Sequence, residues 1–141
     1  MATDRVAPIL LDTCAVIWVA EDEPVSDEAA AALDEAFNRR DVFISPMSAW
    51  EVGLLIAKGR LLSPMSPQAW FRLVIEQPGV VLADMSPDLL IASSFLPGKP
   101  PKDPVDRIIA ATAREFGLAL MTRDRRLLDY AEQGHLEAIG C

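Results

Sequence analysis

The sequence contains very few of the residues that hold disulfide-rich or zinc-binding proteins together. Only two of its 141 residues are cysteines, Cys14 and Cys141, and they do not form a Cys-x-x-Cys pair. A disulfide framework or a cysteine-based zinc site is therefore not expected. Since His135 is the only histidine, catalysis by a histidine base or by a Ser-His-Asp triad has little support.

Long apolar segments are also missing from the sequence. Charged residues interrupt it every few positions, and no run reaches the roughly 20 apolar residues that a membrane-spanning helix needs. Residues 1–7 have neither the apolar core nor the layout of a signal peptide. We therefore expect a cytoplasmic protein that does not contact a membrane.

Positive charge is scarce. Lysine and arginine number 13 against 21 aspartates and glutamates, which gives a net charge of −8. Simple nucleic-acid binders usually carry a basic face, so this balance argues against that class. It does not exclude a nuclease, because some of the acids could hold cations, and it predicts a partner with a basic segment.

Enough apolar residues are present to build a core. They make up 51% of the chain, and a length of 141 residues suits one compact domain, so we expect residues 1–141 to form a single domain. Five short apolar runs predict strands, with helical patterns between them. This alternation predicts an α/β domain with a mostly parallel sheet. The predicted strands are residues 9–11, 42–44, 80–82, 118–121 and, more weakly, 136–139.

Capping residues mark where several of the helices begin and end. Ser26 precedes an alanine-rich segment that predicts a helix to about Asn38. Serine or aspartate followed by proline predicts a cap and a first helical residue at three further places. Gly117 predicts the end of the helix before the fourth strand. The three cap-proline pairs are Ser66-Pro67, Ser86-Pro87 and Asp103-Pro104.

Four acidic residues fall at the ends of predicted strands or at the starts of the helices that follow them. Asp12 ends the first strand, and Asp124 follows the fourth. Glu51 is predicted in the first turn of the helix after the second strand, and Asp106 in the first turn of a later helix. In a parallel α/β sheet these positions lie along one edge, where ligands bind. We therefore expect the four carboxylates to lie close together.

Each acid also has a purely structural explanation. Ser48 and Glu51 have the spacing of a capping box, in which Glu51 would bond the backbone of Ser48. Asp106 would favour the helix dipole as a first-turn acid. Asp124 could cap the last helix, and Asp12 could form a turn. Taken together, however, four close carboxylates repel one another, and a divalent cation relieves that repulsion. Oxygen ligands alone suit Mg²⁺ or Mn²⁺.

Four segments of the sequence resemble the motifs of the PIN-domain ribonucleases. Residues 9–18 read ILLDTCAVIW, residues 48–52 SAWEV, residues 103–111 DPVDRIIAA and residues 120–124 LMTRD. Their order and spacing agree with that family over about residues 8–139, and the Asp-Pro-x-Asp-Arg form resembles the VapC-type toxins of toxin–antitoxin pairs. The resemblance implies a PIN-like α/β/α sandwich whose central sheet has four to five short strands.

The resemblance also implies a set of site residues. It predicts a catalytic metal site of Asp12, Glu51, Asp106 and Asp124 that binds Mg²⁺ or Mn²⁺. It gives supporting roles to Thr13, Ser48, Thr122 and Asp103. Because they adjoin the motif acids, Lys102, Arg107 and Arg123 become the candidates for contact with RNA.

The function implied by the resemblance is that of a toxin. Such a protein cleaves phosphodiester bonds in RNA, with tRNA or another structured RNA as the target. It pairs with a VapB-type antitoxin and forms a homodimer or a toxin–antitoxin hetero-oligomer.

Two other functions remain open at the level of sequence. One is a receiver-like signalling domain that binds Mg²⁺, but such a domain would need paired acids after the first strand and a lysine after the last. The other is a non-catalytic binding module with a PIN-like fold, against which the four retained acids count.

Overall fold

A computed structural model describes residues 7–141. The prediction made for residues 1–7 therefore lies outside this range, except at Ala7. Strands and helices alternate along the described chain in the order β1 (Ile9–Leu11), α1 (Thr13–Ala20), α2 (Asp27–Asn38), β2 (Val42–Ile44), α3 (Pro46–Ala57), α4 (Pro67–Ile75), β3 (Val80–Leu82), α5 (Pro87–Ala92), α6 (Pro104–Phe116), β4 (Ala119–Thr122), α7 (Arg125–Glu132) and β5 (Glu137–Gly140).

The strands form one sheet in the order β3-β2-β1-β4-β5, and every pairing is parallel. Parallel strands of this kind are covered by helices on both faces, so they contain continuous apolar runs. In the central strand, Ile9 and Leu10 have no exposed surface, and Leu11 is 1% exposed. Ile9 and Leu11 pack in one apolar cluster and Leu10 in another. The predicted α/β fold with a parallel sheet is confirmed.

The caps predicted from the sequence begin the helices where expected. The side chains of Ser26, Ser66 and Ser86 accept hydrogen bonds from backbone N–H groups in the first turns of α2, α4 and α5. Gly117 ends α6 with a φ of 63°, a left-handed conformation that glycine adopts without steric cost. The last two strands each begin one residue later than predicted, at Ala119 and Glu137.

One predicted helix start was wrong. Helix α3 is capped by Ser45 and begins at Pro46, so Ser48 lies inside the helix and Glu51 is in its second turn, not its first. Proline suits the first helical position because its missing N–H would have no helical partner there. The capping box of Ser48 and Glu51 is therefore absent, and Glu51 bonds another residue.

The strand order has a switch point between β1 and β4. From β1 the chain continues to β2 and β3 on one side, and β4 and β5 lie on the other side. In open α/β sheets, ligands bind outside the carboxyl ends of the strands at such a switch point. Asp12 directly follows β1, and Thr122 is the last residue of the neighbouring β4. No helix within residues 7–141 is long and apolar enough to cross a membrane.

Candidate active site

Asp12 is the most deeply buried of the four acids, at 7% exposure. It caps α1, and its Oδ1 accepts a hydrogen bond of 3.0 Å from the backbone N–H of Ala15. The hydroxyl of Thr122 donates to its Oδ2. Burial raises the pKa of Asp12, which these hydrogen bonds partly offset, and the charge of Asp124 raises it further. The carboxylate is thus fixed at both oxygens, at the centre of the sheet edge.

Glu51 reaches the same edge from α3. Its Oε1 accepts a hydrogen bond from the hydroxyl of Thr13, the residue after Asp12. The Thr13 hydroxyl also lies 3.0 Å from the Oγ of Ser48, which is fully buried. Burial raises the pKa of Glu51, and the charges of Asp103 and Asp12 add to the effect. Thr13 and Ser48 therefore link α1 to α3 beneath the acids.

Asp103 and Asp124 both cap helices. Asp103 Oδ1 accepts from the backbone N–H groups of Val105 and Asp106, at 2.8 and 3.0 Å. Asp124 Oδ1 accepts from the N–H of Arg126 at 2.8 Å, while its own N–H donates to the Thr122 hydroxyl at 2.9 Å. Each cap orients a carboxylate at a helix N-terminus, where the helix dipole stabilises negative charge.

Asp106 is the acid whose pKa is raised to about 7. It lies in the first turn of α6, as predicted. Burial raises its pKa most, and together with the negative charges of Asp124, Asp103, Glu51 and Asp12 it brings the pKa to about 7. Each of the other four acids thus lies close enough to Asp106 to disfavour its ionisation, although they come from four different parts of the chain. A pKa shifted by burial and specific charges is typical of a functional site.

The donor set fits a hard divalent cation. All the acids present oxygen, the ligand type that Mg²⁺ and Mn²⁺ prefer, and a cation would relieve the repulsion that raises the pKa of Asp106. As the side chains stand, no three acidic, histidine or cysteine residues within residues 7–141 are arranged to hold one ion. Binding therefore needs side-chain rotation or bridging waters, which Mg²⁺ commonly keeps.

The three basic candidates lie in very different surroundings. The guanidinium of Arg107 donates to the backbone oxygens of Ser93, Ser94 and Pro101, at 3.0, 3.3 and 3.1 Å. These bonds favour a structural role, so contact between Arg107 and RNA stays a prediction that its geometry does not favour. Lys102 is exposed beside Asp103.

Arg123 is also held by neighbouring groups. Its guanidinium lies 3.7 Å from the centre of the Trp18 ring, and it donates to the carbonyl oxygen of Pro24 at 3.1 Å. The sequence places Arg123 beside a motif acid, but its partners are distant in sequence and only the fold reveals them. RNA contact by Arg123 likewise stays a prediction.

Replacing Thr122 with valine is expected to impair a site of this kind without unfolding it. The Thr122 hydroxyl donates to Asp12 and accepts from the N–H of Asp124, so valine removes one group that positions two acids. Loss of such a supporting contact typically lowers metal affinity or activity by roughly 10- to 100-fold. Nuclease rate and Mg²⁺ affinity, the latter from thermal shifts, would measure the loss. Thr122→Ser keeps the hydroxyl and should retain both; equal loss in the two variants would contradict the positioning role.

Comparisons with known proteins agree on one family. The PIN-domain profile matches residues 9–133. Ribonuclease VapC22 of Mycobacterium tuberculosis is 32% identical over 120 residues, which cover 84% of this chain and 88% of that protein.

Solved structures share the fold at low sequence identity. VapBC2 from Rickettsia felis, solved bound to a DNA fragment from its promoter, superposes with a TM-score of 0.67 at 16% identity and covers 94% of this chain and 97% of its own. FitAcB from Neisseria gonorrhoeae superposes with a TM-score of 0.55 at 23% identity, covering 93% and 96%. The profile match and the identity to VapC22 over most of both chains show that this chain belongs to the PIN-domain family, among the VapC-type ribonucleases.

Proposed function

We propose that this protein is a metal-dependent endoribonuclease, the toxin of a toxin–antitoxin pair, that hydrolyses phosphodiester bonds in tRNA or another structured RNA. The observation that carries the proposal is the set of hydrogen bonds through Thr122 and Thr13 that hold Asp12, Asp124 and Glu51 at one edge of the sheet. Burial and the charges of these acids raise the pKa of Asp106 to about 7. We assign these four acids as the catalytic metal site, with Mg²⁺ as the cofactor and Mn²⁺ as a substitute.

The residues of the site divide into holding and positioning roles. A bound divalent cation lowers the pKa of water and neutralises charge on the phosphate. In this proposal Asp12 and Asp106 hold the cation, and Glu51 and Asp124 complete the site directly or through water. Thr122 keeps Asp12 oriented by donating to its Oδ2, and Thr13 does the same for Glu51. Without a cation, the carboxylates would repel the phosphodiester.

The partner in this proposal is a VapB-type antitoxin. The similarity of the chain to proteins of VapBC2 and FitAcB supports this partner. The chain has a net charge of −8 and a cluster of acids, which favours a partner that inserts a basic side chain. An apolar groove of about 620 Å³ between α1, α2 and α4 offers room for an apolar helix of that partner; Trp70, Leu73 and Val74 are among its lining residues. A homodimer or a toxin–antitoxin hetero-oligomer acting in the cytoplasm completes the proposal.

The test is cleavage of purified tRNA by the antitoxin-free protein. We expect discrete fragments with Mg²⁺ or Mn²⁺ and none with EDTA, because four clustered carboxylates need a cation to accept a phosphate. Ribosomal RNA in a parallel reaction would reveal a structured target outside the tRNA pool. Intact RNA of both kinds in the presence of metal would contradict the proposal and favour a non-catalytic PIN-like module.

A further inference from the structure

We infer that the groove between the proline-rich loop 97–102 and helix α7 binds the phosphate backbone of the RNA strand next to the cleavage site. This inference rests on the proposed function and extends it, because it assigns the substrate contact to Lys99, Lys102 and Arg126. The groove has a volume of about 350 Å³, and these three cations line it together with Pro100, Pro101, Asp129 and Gln133.

The loop that forms one wall is fixed by its backbone at three points. The hydroxyl of Tyr130 donates to the carbonyl oxygen of Pro97 at 2.7 Å. The side-chain amide of Gln133 bonds both the N–H and the carbonyl oxygen of Lys99, at 3.0 and 3.2 Å. Arg107 donates to the carbonyl oxygen of Pro101 at 3.1 Å. Anchors of this kind, with prolines between them, hold the loop before any ligand arrives, which lowers the entropy lost on binding.

The anchors leave the basic side chains of the groove exposed. Lys99, Lys102 and Arg126 are all exposed, and within residues 7–141 none of them takes part in an ion pair. The one acid in the lining, Asp129, is paired with Arg125 at 2.9 Å, which offsets its charge. The groove is therefore a basic surface on a chain whose net charge is −8.

Both walls of the groove connect directly to the acidic site. Lys102 immediately precedes Asp103, which caps α6 and raises the pKa of Asp106. Arg126 lies in the first turn of α7, and its N–H donates to the Oδ1 of Asp124. Lys102 and Arg126 are thus near neighbours in sequence of two acids of the site, so an RNA strand that lies in the groove would lead to those acids.

The other two basic candidates near the acids, Arg107 and Arg123, already contact other groups of the protein. Arg107 bonds three backbone oxygens, and Arg123 lies over Trp18. Strand recognition without sequence reading depends mainly on lysine and arginine contacts to phosphates, and an acidic cleavage site supplies none. The unpaired cations of the groove fit that requirement.

The test compares two variants that lose the same charge, both made in an Asp106→Asn background so that the RNA survives. One replaces Lys99, Lys102 and Arg126 with alanine; its matched control replaces the exposed Lys58, Arg60 and Arg72, outside the groove. Affinity for a labelled single-stranded RNA is measured with Mg²⁺ over a range of salt concentrations. Removing three phosphate contacts is expected to weaken binding by roughly 10-fold or more and to lower the salt slope by about 2.

The outcomes separate the groove from the cleavage chemistry. Loss of affinity confined to the groove variant, with thermal stability near that of the parent, supports the inference. Equal loss in the two triple variants would mean that only overall charge matters, and unchanged affinity in the groove variant would exclude phosphate contact there; either result overturns the inference. If the parent binds neither this RNA nor purified tRNA, the inference is overturned, whereas the proposed function is decided separately by the cleavage assay with the wild-type protein.

Discussion

Asp106→Asn is expected to reduce RNA cleavage by about a thousandfold or more, roughly 4 kcal/mol of transition-state stabilisation. The amide has nearly the shape of the carboxylate but carries no charge to hold a cation. Asp106 is only partly buried in the first turn of α6, and no backbone N–H of that turn depends on its side chain, because Asp103 supplies the cap. The fold should therefore survive the change.

A matched control separates this effect from the loss of any first-turn acid. Asp88 lies in the first turn of α5, just after a serine cap and a proline, as Asp106 follows Asp103 and Pro104. Asp88→Asn should leave initial rates of RNA cleavage unchanged. Circular dichroism and thermal melting would check that both variants are folded. Near-normal cleavage by a folded Asp106→Asn protein would remove Asp106 from the catalytic site.

Addition of Mg²⁺ is expected to stabilise the protein strongly at pH 8 and weakly at pH 5. At a concentration about 100 times the dissociation constant, a ligand raises the free energy of unfolding by about 2.7 kcal/mol, or roughly 10 °C in Tm for a domain of this size. At pH 5, Asp106, with its pKa raised to about 7, is protonated. The cation must then displace a proton, so we expect affinity at least roughly tenfold lower and a shift of about 5 °C or less.

Without metal, the raised pKa of Asp106 predicts that the free energy of unfolding is higher at low pH, the opposite of the pH dependence of stabilisation by Mg²⁺. Between its unfolded value near 4 and its folded value of about 7, Asp106 binds more protons in the folded state. The free energy of unfolding should therefore fall as pH rises through this window, by about 1 to 2 kcal/mol for a half-exposed group. Thermal melts of wild type and Asp106→Asn in EDTA would test this. A similar fall in both proteins would assign the pH dependence to other groups.

Local signals predict much of the fold, because they depend on neighbours in sequence. The apolar runs predict β1, β2 and β3 at the residues that form them, and the serine caps of α2, α4 and α5 each bond an N–H group three residues ahead. The start of α3 is the exception, because the spacing of Ser48 and Glu51 fits a capping box, whereas Ser45 caps the helix. The helix begins at Pro46, a residue type that suits the first helical position.

Helix α1 shows where the local signals fail. Its residues are mostly apolar, with Ala15 and Val16 buried to 1% exposure or less. A helix that is apolar around its circumference lacks the polar face that marks helical periodicity. The sequence therefore predicts no helix here and only a possible turn at Asp12, whereas Asp12 caps a helix.

The candidate site could be predicted as a set of acids but not as a set of contacts. Four acids at strand ends and helix starts are visible in the sequence. The partners of the basic residues are not, because the carbonyl that Arg123 bonds lies 99 positions away, and those bonded by Arg107 lie 6 to 14 positions away. Which cations remain exposed to RNA depends on the tertiary fold alone.

The strand order determines when the proposed site can form while the protein is being synthesised. β4 pairs directly with β1, although β2, β3 and most of the helices come between them in the chain. The ribosome therefore makes Asp12 and Glu51 long before Thr122 and Asp124, which complete the proposed site. In a nascent chain that stops short of β4, Asp12 lacks the Thr122 hydroxyl that orients it, so the proposed site can form only after β4 joins the sheet.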